Sequence, residues 1–292
     1  MEIKKGIMLL LDSMEGYNAV TINTGVVPHT ALSKNKVEYG NHSFFPGYDE
    51  AAFLPKRNWR QLNNREIALL KPTGKRTDTN TVYIGTIPNE LRCLFEKLQL
   101  TACTNREEVY ARFRNAPEAT AEINKATDTF LRSKSNGKPY HLHYLGTNLP
   151  NLEVTASDTT RMPKGYKEED KKYMGIHNDG TRYVSPYRLH TSGNRFTINL
   201  GREPRSFLFV NLTMPQALNM LKQKMDIKKQ RVDITNIARY FFTHYPDYPV
   251  IKITQQPYQY YIAPTDNCFH DGSTLGTREL DIIIVYFGAF CF

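Results

Sequence analysis

Two short segments carry side chains able to hold a transition-metal ion. The first is Ile176-His177-Asn178-Asp179-Gly180-Thr181. The second, ninety-three residues on, is Ala263-Pro264-Thr265-Asp266-Asn267-Cys268-Phe269-His270-Asp271-Gly272. In a strand, residues two apart point to one face, so His177 and Asp179 can meet the same ion. His270, just beyond the end of another predicted strand, adds a second imidazole. Two imidazoles and one carboxylate form the facial set that suits non-haem Fe(II) and leaves three coordination positions open.

An H-x-D triplet alone is a weak signal, because most histidines are structural. Its weight comes from the order of the segments downstream. After it come an Asn194–Gly201 strand pattern, an Arg205–Asn211 pattern, the His270 segment, Arg278 and a final apolar run. Other polar groups compete for attention. His141 and His143 repeat the same-face spacing, but nothing later completes a second site, so they read as structural or substrate-pocket residues. His190 and His244 lack a strand frame. Asp266 and Asp271 flank His270 and suit loop shaping, or accepting the outer N–H of a bound imidazole. The loop containing Arg182, Tyr183, Tyr187, Arg188 and His190 could read a carboxylate-bearing substrate or be an ordinary polar loop. No phosphate-cradling glycine pattern surrounds Gly193 or Gly201.

Over about residues 170–290 this ordered set resembles the Fe(II)/2-oxoglutarate-dependent oxygenase superfamily. The resemblance maps His177, Asp179 and His270 onto the metal triad, with no catalytic side chain beyond the metal centre. It implies Fe(II), 2-oxoglutarate as co-substrate and O2, and a core folded as a double-stranded β-helix. Arg278, eight residues past His270, maps onto the basic residue that clamps the far carboxylate of 2-oxoglutarate, a task suited to a guanidinium fork. Two departures stand out. Some subfamilies carry a serine two residues after the clamp, where this chain has Leu280, and Arg278 falls slightly early relative to the last strand. Arg195, Arg202 and Arg205 are therefore rival clamps, and Thr197 is a further co-substrate contact. Because Asp179 keeps its carboxylate, the resemblance implies hydroxylation rather than halogenation. The implied substrate is a small polar molecule such as an amino acid or derivative, touched by Arg182, Tyr183, Arg188 and His143.

Positioning such a triad requires strands, and the sequence supplies them late in the chain. Lys172–His177, Arg195–Leu200, Ser206–Leu212, Val250–Thr254, Gln259–Ile262 and Asp281–Phe290 have strand character. A helical insert, Pro215–Met225 and Ile234–Tyr245, separates the third from the fourth. Residues 1–84 alternate short apolar runs with turns. Residues 88–135 become helical, with Leu91, Leu94, Phe95 and Leu98 at helical spacing. There, Thr104 with Glu107 predicts a capping box, Pro117–Leu131 a third helix, and Ser133–Pro139 a break. The fold class expected is α+β, mainly β, with a jelly-roll or cupin-like core and flanking helices. Residues 1–139 form an elaboration packed on a catalytic unit, 140–292, within one compact body.

Composition narrows the alternatives. A hydrophobic share of 40% and a charged share of 23% are those of an ordinary globular chain. The net charge of +9 is dispersed, so nucleic acid is not the expected partner. Cys93, Cys103, Cys268 and Cys291 show no metal or redox spacing. The apolar runs Ile7–Leu11 and Ile282–Phe292 are too short for a signal core or a membrane span, so a cytoplasmic location without membrane contact is expected. The sequence leaves the oligomeric state open. Two other classes stay in view: a cupin-type metal dioxygenase or hydrolase without 2-oxoglutarate, and a non-enzymatic basic β-barrel binding module.

Overall fold

Most of the strand-like runs enter two sheets, and the chain passes back and forth between them. The computed structural model describes residues 1–11, 14–72, 79–160, 162–180 and 183–292. The sheet strands in chain order are β1 (Met8–Leu11), β2 (Val20–Ile22), β3 (Arg60–Gln61), β4 (Thr81–Thr86), β5 (Tyr140–Asn148), β6 (Asn194–Asn199), β7 (Arg205–Phe209), β8 (Ile251–Gln255), β9 (Gln259–Ala263), β10 (His270–Ser273) and β11 (Asp281–Gly288). One sheet has six strands in the order β1-β4-β9-β6-β11-β5, and the other has five in the order β10-β7-β8-β2-β3. Pairing is antiparallel except between β1 and β4. Strands from residues 1–139 thus extend both sheets formed by residues 140–292. The architecture is α+β and mainly β, as the strand pattern predicts.

Side chains from the two sheets meet between them. Phe207 of β7 stacks on Tyr261 of β9 with ring centroids 4.4 Å apart. Arg205 of β7 crosses to Asp281 of β11. The other face of the six-stranded sheet is covered by α4 (Pro117–Ser135), whose Phe130 meets Phe196 and Tyr260 edge-on at 5.8 and 5.6 Å. Before it come α1 (Asn64–Leu70), α2 (Asn89–Lys97) and α3 (Arg106–Asn115). The insert between β7 and β8 forms α5 (Met214–Leu221) and α6 (Ile237–His244). Phe241 and Phe242 of α6 pack against fully buried Phe269 at 5.0 and 5.1 Å, pinning the residue before His270. Among the described residues, no helix is long and apolar enough to cross a membrane.

Several local expectations shift. The capping residue of α3 is Asn105, one later than Thr104. Asn105 Oδ1 accepts from the Glu108 backbone, and the Glu108 carboxylate reaches back to the Thr104 N–H at 2.7 Å. Helix α4 runs four residues beyond Leu131, because Asn136 at φ 50° provides its left-handed C-terminal stop. The predicted strand ending at His177 shortens to Lys172–Tyr173. Gly175, at φ 76°, turns the chain where a Cβ would strike the Phe53 backbone. Regular pairing stops there, and His177 is held instead by a single bridge to His270. His270 lies beyond the end of β9, as expected, and itself begins β10.

Candidate metal centre

The bridge between His177 and His270 is reciprocal. Each residue's N–H donates to the other's carbonyl, at 3.1 and 2.6 Å. The two imidazoles therefore leave neighbouring backbones on one side and lie 4.7 Å apart between centroids. Asp179 comes next, with its N–H on the Thr265 carbonyl at 3.2 Å. One ligating atom from each of His177, Asp179 and His270 lies within 4.8 Å of the other two. His270 Nε2 is 3.2 Å from Asp179 Oδ2, and His177 Nε2 is 3.8 Å from Asp179 Oδ1.

The outer nitrogens are committed elsewhere. His177 Nδ1 donates to the Gly175 carbonyl at 2.9 Å, and His270 Nδ1 faces the Cys268 carbonyl at 3.3 Å. In the neutral ring, donation from Nδ1 leaves the lone pair on Nε2, which a metal-binding imidazole needs. The donor set, two nitrogens and one hard oxygen, fits a non-haem Fe(II) ion.

Charges around the triad are strongly coupled. Burial alone would lower the His177 pKa. The nearby carboxylates of Asp271 and Asp179, with the Gly175 carbonyl, overcome it and push the ring up to about 9. Burial would raise Asp179, but His270, Arg195 and His177 hold its carboxyl well below the usual carboxylate range. Asp271 is buried; its Oδ1 accepts the backbone N–H groups of Thr155, Ala156 and Gly272 at 3.0, 3.0 and 2.7 Å.

The three residues line one cavity of about 130 Å³, together with Arg195, Thr197, Arg205, His143 and Asn148. Arg195 Nη1 lies 2.9 Å from Asp179 Oδ2. Thr197, buried on β6, faces Tyr261. Arg205 is 3% exposed and pairs through Nε with Asp281 Oδ1 at 3.1 Å. Its Nη1 donates to Gln255 at 3.3 Å, and its Nη2 lies over Gly272, where any Cβ would collide with it.

The remaining sequence candidates fall elsewhere. Arg278, expected beside the co-substrate, is exposed in the turn before β11 and does not line the cavity. Its backbone N–H donates to the Glu203 carboxylate at 2.6 Å, fixing that turn away from the triad. Arg202 is exposed and lies 3.8 Å from Glu279. His143 reaches the cavity because the β5–β11 register slips between Leu142 and Tyr144, which separates it from His141. His141 instead lies 5.6 Å from the Phe287 ring. Tyr183 and Arg188 are exposed and outside the cavity lining, as are His190 and His244. Arg182 lies outside the described residues. Sequence reasoning missed Tyr144, Asn148 and Thr155 as lining residues. Only the general strand character after residue 140 hinted at them.

No protein-family model and no curated protein matches the chain. Distant likeness exists to solved structures of the Kdo hydroxylase KdoO, described as a non-heme Fe(II) alphaketoglutarate dependent dioxygenase. Its cobalt(II) complex is 12% identical with a TM-score of 0.35, covering 74% of this chain and 81% of that one. Its complex with alphaketoglutarate and Fe(III) is 11% identical with a TM-score of 0.36 and the same coverage.

Proposed function

We propose that this chain is an Fe(II)- and 2-oxoglutarate-dependent oxygenase that hydroxylates a small polar molecule, such as an amino acid or derivative. The observation that carries this reading is the convergence of one ligand atom each from His177, Asp179 and His270 within 4.8 Å on a cavity that also holds two arginines. Alternation of the chain between two sheets, from β5 through the His177 bridge to β11, supports a double-stranded β-helix core.

His177, Asp179 and His270 would hold Fe(II), with their outer hydrogen bonds fixing ring orientation. When bound, iron and 2-oxoglutarate supply the oxidising chemistry, in which 2-oxoglutarate and O2 become succinate and CO2 while one oxygen atom enters a substrate C–H bond. We assign the co-substrate clamp to Arg205 rather than Arg278. Gly272, beneath the Arg205 guanidinium, is two residues from His270, roughly 7 Å along a strand. That separation suits a five-carbon diacid chelated at one end. Asp281 neutralises the guanidinium and spares the cavity an isolated buried charge. Arg195 sits opposite Phe287, six residues along β11 from Asp281, so the two arginines are anchored at opposite ends of the wall.

The test is succinate release from 2-oxoglutarate under air, with and without Fe(II), in the native chain and in His177→Ala. Iron-dependent succinate formation that disappears with His177 supports the assignment. Metal binding without any 2-oxoglutarate turnover would favour a cupin-type metal enzyme instead.

A further inference from the structure

We infer that Arg195 is a positioning residue that keeps Asp179 a one-oxygen ligand, so that the metal retains three open positions. This rests on the oxygenase reading of the same site. Arg195 begins the inward row of β6, and its side chain is 15% exposed. Its Nη1 meets Asp179 Oδ2 at 2.9 Å and Asp266 Oδ1 at 3.0 Å, and also donates to Thr265 Oγ1. Thr265 and Asp266 are both buried, and the guanidinium lies 5.4 Å over the Phe287 ring. The guanidinium is therefore fixed by Thr265, Asp266 and the Phe287 ring where its Nη1 reaches Asp179.

A ligand carboxylate with both oxygens free can close a chelate on the ion and occupy a fourth position. Asp179 lacks that freedom, because its Oδ2 is held in a 2.9 Å ion pair with Arg195 Nη1. A guanidinium beside a metal site also repels the incoming cation. That repulsion works against metal affinity, and the contact with Asp179 Oδ2 points to a role in coordination geometry. A residue serving only to retain metal would not carry this charge.

Titration of the metal-free protein with Co(II), followed by anaerobic titration of the Fe(II) protein with 2-oxoglutarate, tests the assignment. The Co(II) d–d spectrum reads coordination number. The visible charge-transfer absorption of an Fe(II)–2-oxo-acid chelate reads two free adjacent positions. Arg195→Ala is expected to bind Co(II) at least as tightly as the native protein, with an altered d–d spectrum. Its 2-oxoglutarate affinity should fall about tenfold or more. Arg195→Lys keeps the charge without the planar fork and should stay within about threefold of the alanine variant. Unchanged spectrum and 2-oxoglutarate affinity in Arg195→Ala would overturn the inference. So would full rescue by lysine, which assigns a charge role, or joint loss of metal and 2-oxoglutarate, which assigns a structural one. A native protein that binds neither Co(II) nor 2-oxoglutarate overturns the oxygenase reading itself, a separate failure.

Discussion

Asp271 Oδ2 lies 3.5 Å from Nδ1 of His177 and has no hydrogen-bond partner of its own, although the carboxylate is buried. Its sister oxygen is saturated by three backbone N–H groups, so the carboxylate is fixed, and its close approach and negative charge together raise His177. Asp271→Asn keeps the shape and removes that charge. In the metal-free variant the His177 pKa should drop below about 9, because burial is then less strongly opposed. Imidazole NMR titration reads this directly, and an unmoved His177 would show that Asp271 has no hold on the ring.

Metal affinity should depend on pH through the same ring. His177 rises from an ordinary 6.5 to about 9 in the metal-free fold, so at neutral pH an incoming ion must displace its proton. Affinity is expected to climb by about tenfold per pH unit between about pH 7 and pH 9, and then flatten. Isothermal titration in buffers of different ionisation enthalpy should show close to one proton released at pH 7. Release of none would show that His177 is already neutral.

The stability of the metal-free protein runs the other way. A group whose folded pKa is raised contributes stability fully below its unfolded value, and loses it as pH rises through the folded value. His177 therefore stabilises the metal-free fold below pH 6.5, and that contribution, on the order of a few kcal/mol, fades as pH approaches and passes about 9. Asp179 behaves oppositely, because its depressed pKa supports the fold at neutral pH and is lost in acid. Urea midpoints across this range, with and without Fe(II), should diverge most at alkaline pH. Parallel curves would count against the linkage.

Arg205 and Arg278 offer a direct comparison. Arg205→Lys should raise the KM for 2-oxoglutarate by about tenfold or more, since lysine lacks the bidentate fork. Arg278→Ala should leave it within about twofold, as a surface substitution away from the cavity. The reverse pattern would restore the clamp to Arg278. Gly272→Ala provides a third arm and should also raise that KM, because its Cβ would press on the Arg205 guanidinium and Thr155 Oγ1 while leaving every charge in place.

Phe269 links the packing of α6 to the metal strand. Phe269→Ala should cost about 3–5 kcal/mol in unfolding free energy and weaken metal binding through the adjoining His270. Denaturation midpoints and a Co(II) titration on the folded variant measure the two effects separately. Unchanged metal affinity would show that His270 is held by its backbone bridge alone.

Legibility in the residues divides along physical lines. The three metal-ligand candidates were legible because their chemistry is unusual and their order is fixed by the chain. Strands such as β6, β8 and β9 were legible to within a residue or two, because a buried apolar run declares itself. Arg205 was named only as a rival clamp, since its reach to Asp281 depends on how two sheets face each other. Arg278 had the more persuasive spacing, yet the Glu203 carboxylate holds its turn outside the cavity. Asn148 and Tyr144 escaped notice for a related reason. The slip at His143 resets which residues of β5 face inward, and the sequence shows no period from which to read it.

The backbone bridge between His177 and His270 also bears on how the protein matures. Two ligands separated by ninety-three residues become adjacent only when the intervening chain, including β6 to β9 and the α5–α6 insert, has folded between them. Closing so long a loop carries an entropic cost that must be met before the pair can form. Capture by the full triad should therefore come late in folding, and an ion met during synthesis would find only the His177–Asp179 pair. Metal loading would thus serve as a check on completed assembly, with partly folded chains left unloaded.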